Sequence, residues 1–120
     1  MAHITGIDHV QLAMPVGAED MARAFYSGVL GLAEIAKPAP LAVRGGVWFA
    51  CGPAQLHLGA DPDFQPARKA HPALVLADFP VFAAHLAGHG VALKLEQAVA
   101  GRARATLADP FGNRIEVIAA

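Results

Sequence analysis

Polar and apolar residues alternate from Ile7 to Met14, which places His9, Gln11 and Ala13 on one face of a strand and Val10, Leu12 and Met14 on the other. Pro15 and Gly17 end the run. The period then lengthens. From about Ala18 to Leu30 a helix is predicted, with Met21, Phe25 and Leu32 forming its apolar stripe and Gly31 suited to the left-handed position that closes it. Pro38 and Pro40 mark a loop, and Gly45-Gly46 marks a second break. Val47 to Cys51 and Ala54 to Leu58 read as strands on either side of a Gly52-Pro53 turn.

Residues 59–70 are polar and contain proline, as expected of a connector, and after them the order repeats. His71 to Ala77 is strand-like. Asp78 is a candidate N-cap for a helix over Phe79 to Ala87, whose first turn tolerates Pro80, and Gly88 and Gly90 stop it. Val91 to Leu95, Arg102 to Leu107 and Arg114 to Ile118 complete the strands. Between the last two, Asp109-Pro110-Phe111-Gly112-Asn113 is a turn in which Pro110 presets φ and Gly112 or Asn113 takes a positive φ. The expectation is an α+β fold of two βαβββ modules within one domain over 1–120. Module one covers about 1–60, the connector about 59–70 and module two about 71–120.

Composition narrows the function classes. Of 120 residues, 55% are hydrophobic and only 16% charged, which suggests further burial in a homodimer interface. A net charge of −1 without a basic stripe argues against nucleic acid as a partner. Cys51 is the single cysteine, so an intrachain disulfide is excluded and a reducing compartment is expected. No run approaches a membrane span and no secretory leader is evident, so a cytoplasmic location is the default.

Against this background four residues stand out. His9 sits in the first strand and His57 lies 48 positions on; His71 opens the second half and Glu116 follows 45 positions later. Each half thus offers one ligand-type side chain in its first strand and one in its last. Leu56 and Leu58 flank His57, and Ile115 and Val117 flank Glu116, so alternation turns all four candidates away from the aliphatic face. If the sheet curves into a cup, three nitrogens and one oxygen would suit divalent Zn, Ni, Co, Fe or Mn better than Mg or Ca. The alternative is ordinary. A strand histidine is more often structural than a ligand, and a glutamate in the last strand is often just solvated. His3, His85 and His89 are read as solvent-facing or capping. Trp48, Phe49 and Phe111 either line a substrate cavity or belong to the core. Arg68-Lys69 either holds an anionic substrate or is a solvated loop.

Three segments resemble one family. Ile7-Asp8-His9-Val10, Ala24-Phe25-Tyr26 leading to Val29-Leu30-Gly31-Leu32, and Asp109 through Glu116 together resemble the vicinal oxygen chelate superfamily, which includes glyoxalase I, bleomycin-binding proteins and extradiol dioxygenases. The resemblance covers essentially the whole chain. It implies a cupped mixed sheet of paired βαβββ modules, usually a dimer, with His9, His57, His71 and Glu116 at the metal-ligand places. In glyoxalase I the place of His57 is usually a glutamate that also transfers protons, and Ala13 stands where some glyoxalases have an arginine. Extradiol dioxygenases need further His and Tyr acid/base residues, and the one tyrosine here, Tyr26, lies in the first helix. The implied function is a metal-dependent lyase or isomerase acting on a small carbonyl or vicinal-oxygen substrate, with Glu116 as catalytic base. The other reading is a metal-free binding protein of the bleomycin-resistance kind.

Overall fold

Alternation along the chain becomes two faces of a sheet in each half. The computed structural model describes residues 2–120, divided into two compact units, the first ending at Gln65 and the second covering Pro66–Ala120. The first unit contains β1 (His9–Met14), α1 (Glu19–Arg23) continued as a π-helix over Ala24–Val29, β2 (Glu34–Ile35), α2 (Ala39–Ala42), β3 (Val47–Cys51) and β4 (Ala54–Ala60). Its sheet runs β1-β4-β3-β2, with β1 parallel to β4 and the other pairs antiparallel.

The register separates the two faces. Leu12, Met14, Leu56, Leu58, Val47 and Phe49 are buried on one side, as are Ala22, Phe25 and Tyr26 of the helical segment. Tyr26 stacks on Phe49 at 5.5 Å, which fixes that segment against the apolar face. Each large side chain buried there contributes roughly 1.5–3 kcal/mol. The opposite face carries His9, Gln11, Gln55, His57 and Trp48.

The structure departs from the sequence expectations in two places here. The predicted single helix widens at Ala24, and Leu30 N–H donates to the Phe25 carbonyl five residues back at 2.8 Å. The Pro38–Pro40 loop forms a helical turn, because a proline in a first turn removes an N–H that has no intrahelical partner anyway.

The second unit contains β5 (Ala73–Leu76), α3 (Phe79–Gly88), β6 (Lys94–Val99), β7 (Arg102–Ala108) and β8 (Arg114–Ala119). Its sheet order is β5-β8-β7-β6, again with the first strand parallel to the last. Ala105, Leu107, Ile115 and Val117 are buried on one face, and Leu86 of α3 is buried too. Asp78 caps α3, its side chain accepting the Val81 N–H at 3.1 Å, which is worth about 1 kcal/mol. The strand expected at Val91–Leu95 lies instead at Lys94–Val99, because the Val91 N–H is used to close α3 on the Leu86 carbonyl. His71 precedes β5 rather than opening it. Pro72 has no N–H for the ladder and pairs only through its carbonyl, which accepts from Glu116 N at 2.9 Å.

The Asp109–Asn113 turn is locked from inside. Both of these residues are buried. Asp109 Oδ1 accepts from the N–H groups of Phe111 and Asn113, and Oδ2 accepts from the Asn113 amide. The Asn113 Oδ1 accepts in turn from Ala67 N at 2.9 Å, tying the connector to the turn that introduces β8. Gly112, not Asn113, takes the positive φ of 90°. Among the described residues no helix is long and apolar enough to cross a membrane.

Candidate small-molecule site

The four expected ligands occur as two pairs, one in each unit. In the first, Gln11, His57 and Trp48 are direct partners across β1, β4 and β3, so their side chains share the polar face. The three rings Trp48, His57 and His9 form a continuous stack. Trp48 and His57 centroids lie 3.9 Å apart with planes 3° from parallel, and His57 and His9 lie 4.2 Å apart at 14°. His57 is the enclosed middle member, only 3% exposed, whereas His9 is open to solvent. Burial holds the His57 pKa below the usual imidazole value, and the neighbouring His9 lowers it further, so His57 is neutral at pH 7. Its Nε2 lies 2.8 Å from Gln55 Oε1, and in the neutral ring that nitrogen donates to the amide oxygen. His9 Nδ1 lies 2.9 Å from the exposed Asp8 carboxylate.

Gly59 gives this row its room. A Cβ there would fall 2.6 Å from the Gln11 amide nitrogen. At Gly46 the constraint is stricter. A Cβ would lie 2.4 Å from the Leu58 carbonyl oxygen, the φ is +88°, and the N–H donates to Glu19 Oε2 at 2.9 Å. That bond is the main reason the Glu19 carboxyl titrates below its ordinary range. The break read from Gly45-Gly46 therefore holds β3 close against β4.

In the second unit His71 and Glu116 meet. His71 Nε2 lies 3.3 Å from Glu116 Oε1, and His71 Nδ1 lies 2.7 Å from the Lys69 carbonyl. The same glutamate oxygen accepts from Arg104 Nη1 at 3.1 Å. Arg104 had no place in the sequence reading. Its signal was the Arg-Ala-Arg-Ala alternation over residues 102–105, which puts it on the face of Glu116 once β7 pairs with β8. Of the aromatics, Phe49 belongs to the core, whereas Trp48 lies on the polar face and Phe111 is half-buried.

Do these residues fit a divalent ion? A ligand nitrogen holds its metal in the ring plane at about 2.0–2.1 Å. Planes 14° apart and a few ångström from each other meet only on the order of 10 Å away, so His9 and His57 as stacked do not share an ion. The Nε2 of His57 is engaged by Gln55, and the Glu116 carboxylate is compensated by Arg104. The first pair does not fit a resident metal without turning a ring. The second has one feature in favour of ligation, the 3.3 Å spacing of its nitrogen and oxygen. Among the described residues no group of three or more His, Cys, Asp or Glu side chains is placed to hold a metal ion.

Paired βαβββ units, each with an apolar face and a polar face rich in hydrogen-bonding groups, define a class of small-molecule binding and catalytic scaffolds. Over residues 6–117 the chain matches the Glyoxalase/Bleomycin resistance protein/Dioxygenase superfamily, and it belongs to that family. It is similar to a glyoxalase family protein from Bacillus anthracis, at 44% identity and a TM-score of 0.96, with 99% of this chain and 98% of that one covered. Two more distant structures share the fold. TnmS3, an antibiotic binding protein from Streptomyces sp. CB03234, has 23% identity and a TM-score of 0.77, covering 99% and 98% of the two chains. Lactoylglutathione lyase from Agrobacterium tumefaciens has 20% identity and a TM-score of 0.76, covering 98% and 96%. Among curated proteins, none matches the chain.

Proposed function

We propose that the chain binds a planar aromatic small molecule through the Trp48–His57–His9 stack, with no metal required. The supporting observation is the stack itself. It commits two candidate ligands to ring–ring contact and presents π-surface at Trp48 and His9, the kind of surface on which an aromatic ligand gains about 0.5–1.5 kcal/mol beyond its buried area. A relative of the same fold, TnmS3, is an antibiotic binding protein, which accords with this reading. The exposed apolar side chains Ile7, Val16, Val75 and Leu95 further support a homodimer, which sedimentation would reveal as a concentration-dependent mass.

A second reading, a divalent-metal lyase or isomerase with Glu116 as its base, is favoured by the His71–Glu116 spacing. Here His9, His57, His71 and Glu116 would be the ligands, and Zn, Ni, Co, Fe or Mn the metal. One experiment separates the two. Trp48 is the single tryptophan, so its fluorescence reports ligands at the stack. Tag-free protein dialysed against chelator is titrated with a panel of planar aromatics, in parallel with metal analysis of undialysed protein. The binding reading expects saturable quenching that persists without metal and in His71→Ala. Stoichiometric metal, lost in the His71→Ala, Glu116→Ala double variant, would overturn it in favour of the enzyme.

A further inference from the structure

The second unit has a cavity of about 500 Å³, within the usual size range of small-molecule sites. Arg68, Lys94, Glu96, Thr106, Gly112 and Arg114 line it. Strand register explains its chemistry. Lys94, Thr106 and Glu116 are direct partners across β6, β7 and β8, and Glu96 and Arg104 form the adjoining row, so the polar side chains of three strands share one face.

The charges on this face do not balance. The carboxylate of Glu96 has Lys94 at 4.0 Å and the Thr106 hydroxyl at 3.2 Å. Glu116 is taken by Arg104 and His71. Among the described residues that line the cavity, that leaves Arg68 and Arg114 with no acidic partner, one from the connector and one from the start of β8. The whole chain carries a net charge of −1, so this excess is local and not part of a general basic surface. Two guanidinium groups open to one cavity offer paired N–H donors in the fork geometry that matches a planar or tetrahedral oxyanion.

We infer that this cavity holds the oxyanion, carboxylate or phosphate, of a small anionic ligand, between Arg68 and Arg114. The inference rests on the reading of the chain as a small-molecule binder and adds an anionic class of ligand, held within the second unit. Its test is an NMR titration of the full chain, following backbone amides, with inorganic phosphate in one arm and malonate in the other. Sodium chloride holds the ionic strength constant. Saturable shifts are expected at Thr106, Ala108 and Gly112, and the arm that saturates at lower concentration identifies the group. Arg68→Gln and Arg114→Gln should each weaken binding, and together by about tenfold or more, whereas Arg23→Gln in the first unit should leave it unchanged. Absence of saturable shifts, or equal weakening by all three substitutions, overturns the inference. If phosphate and malonate leave these amides unmoved while aromatics still quench Trp48, the oxyanion site falls and the stacking reading stands. If the anions bind and no aromatic quenches Trp48, the stacking reading falls instead.

Discussion

His57 shows how one buried ring couples ionisation to stability. Its pKa is lowered in the folded state, first by burial and then by His9, so the unfolded chain takes up a proton at a higher pH than the native one. The stability it contributes is complete above the ordinary imidazole pKa of about 6.5 and is lost as pH falls toward the lower native value. Urea unfolding at a series of pH values should therefore show a decline on the acid side, and His57→Phe, which keeps a ring in the stack, should flatten it. An unchanged slope in the variant would mean that other groups carry the effect. Asp109 makes a different kind of contribution. Its carboxylate accepts three short hydrogen bonds in a buried turn, and bonds to a charged acceptor are worth roughly 1.5–3 kcal/mol each, with strong non-additivity. Asp109→Ala should cost about 3 kcal/mol or more in chemical denaturation. A loss below about 1 kcal/mol would show that water replaces the carboxylate.

Among the elements, β3 and β4 depend on a backbone approach that only glycine permits. Gly46→Ala places a methyl within 2.4 Å of the Leu58 carbonyl and keeps a left-handed φ, so the strands must separate. It should destabilise the protein by about 3 kcal/mol or more, whereas Glu19→Ala, which removes only the acceptor of the Gly46 N–H, should cost about 1–2 kcal/mol. Thermal melts of both variants would rank them, and a reversed order would refute the steric argument. Most elements were legible in the sequence because their signals are local. Alternation placed β1, the Gly45-Gly46 and Gly52-Pro53 breaks bracketed β3, and Asp78 announced its cap. The displacement of β6 comes from the end of α3, where the Val91 N–H closes the helix on the Leu86 carbonyl five residues back, a closure that the apolar run from Val91 does not announce. At the site, the facing of His9, His57 and Glu116 followed from period two. Their partners did not. Trp48 over His57 and Arg104 on Glu116 arise from strand register, which a single strand does not encode.

Across the whole molecule the same module occurs twice with different polar faces. The first offers stacked rings and amides, and the second offers guanidinium groups and carboxylates. Salt should distinguish them, since Coulombic attraction at an open cavity is screened and ring stacking is not. Raising sodium chloride from about 0.05 to 0.5 M should weaken phosphate binding severalfold and leave aromatic quenching of Trp48 nearly unchanged. Equal salt dependence in both would show that aromatic binding is electrostatic too and refute stacking as its basis.

The alternation that opens the chain also bears on how such a scaffold changes over generations. Residues that fill the core and residues that carry chemistry occupy opposite faces of the same strands, one position apart. A replacement at Trp48, Arg104 or Arg114 changes the polar face while Phe49, Ala105 and Ile115 continue to hold the fold. Selection can therefore rewrite specificity at little cost to folding, and having two copies of the module lets one face drift while the other keeps its role.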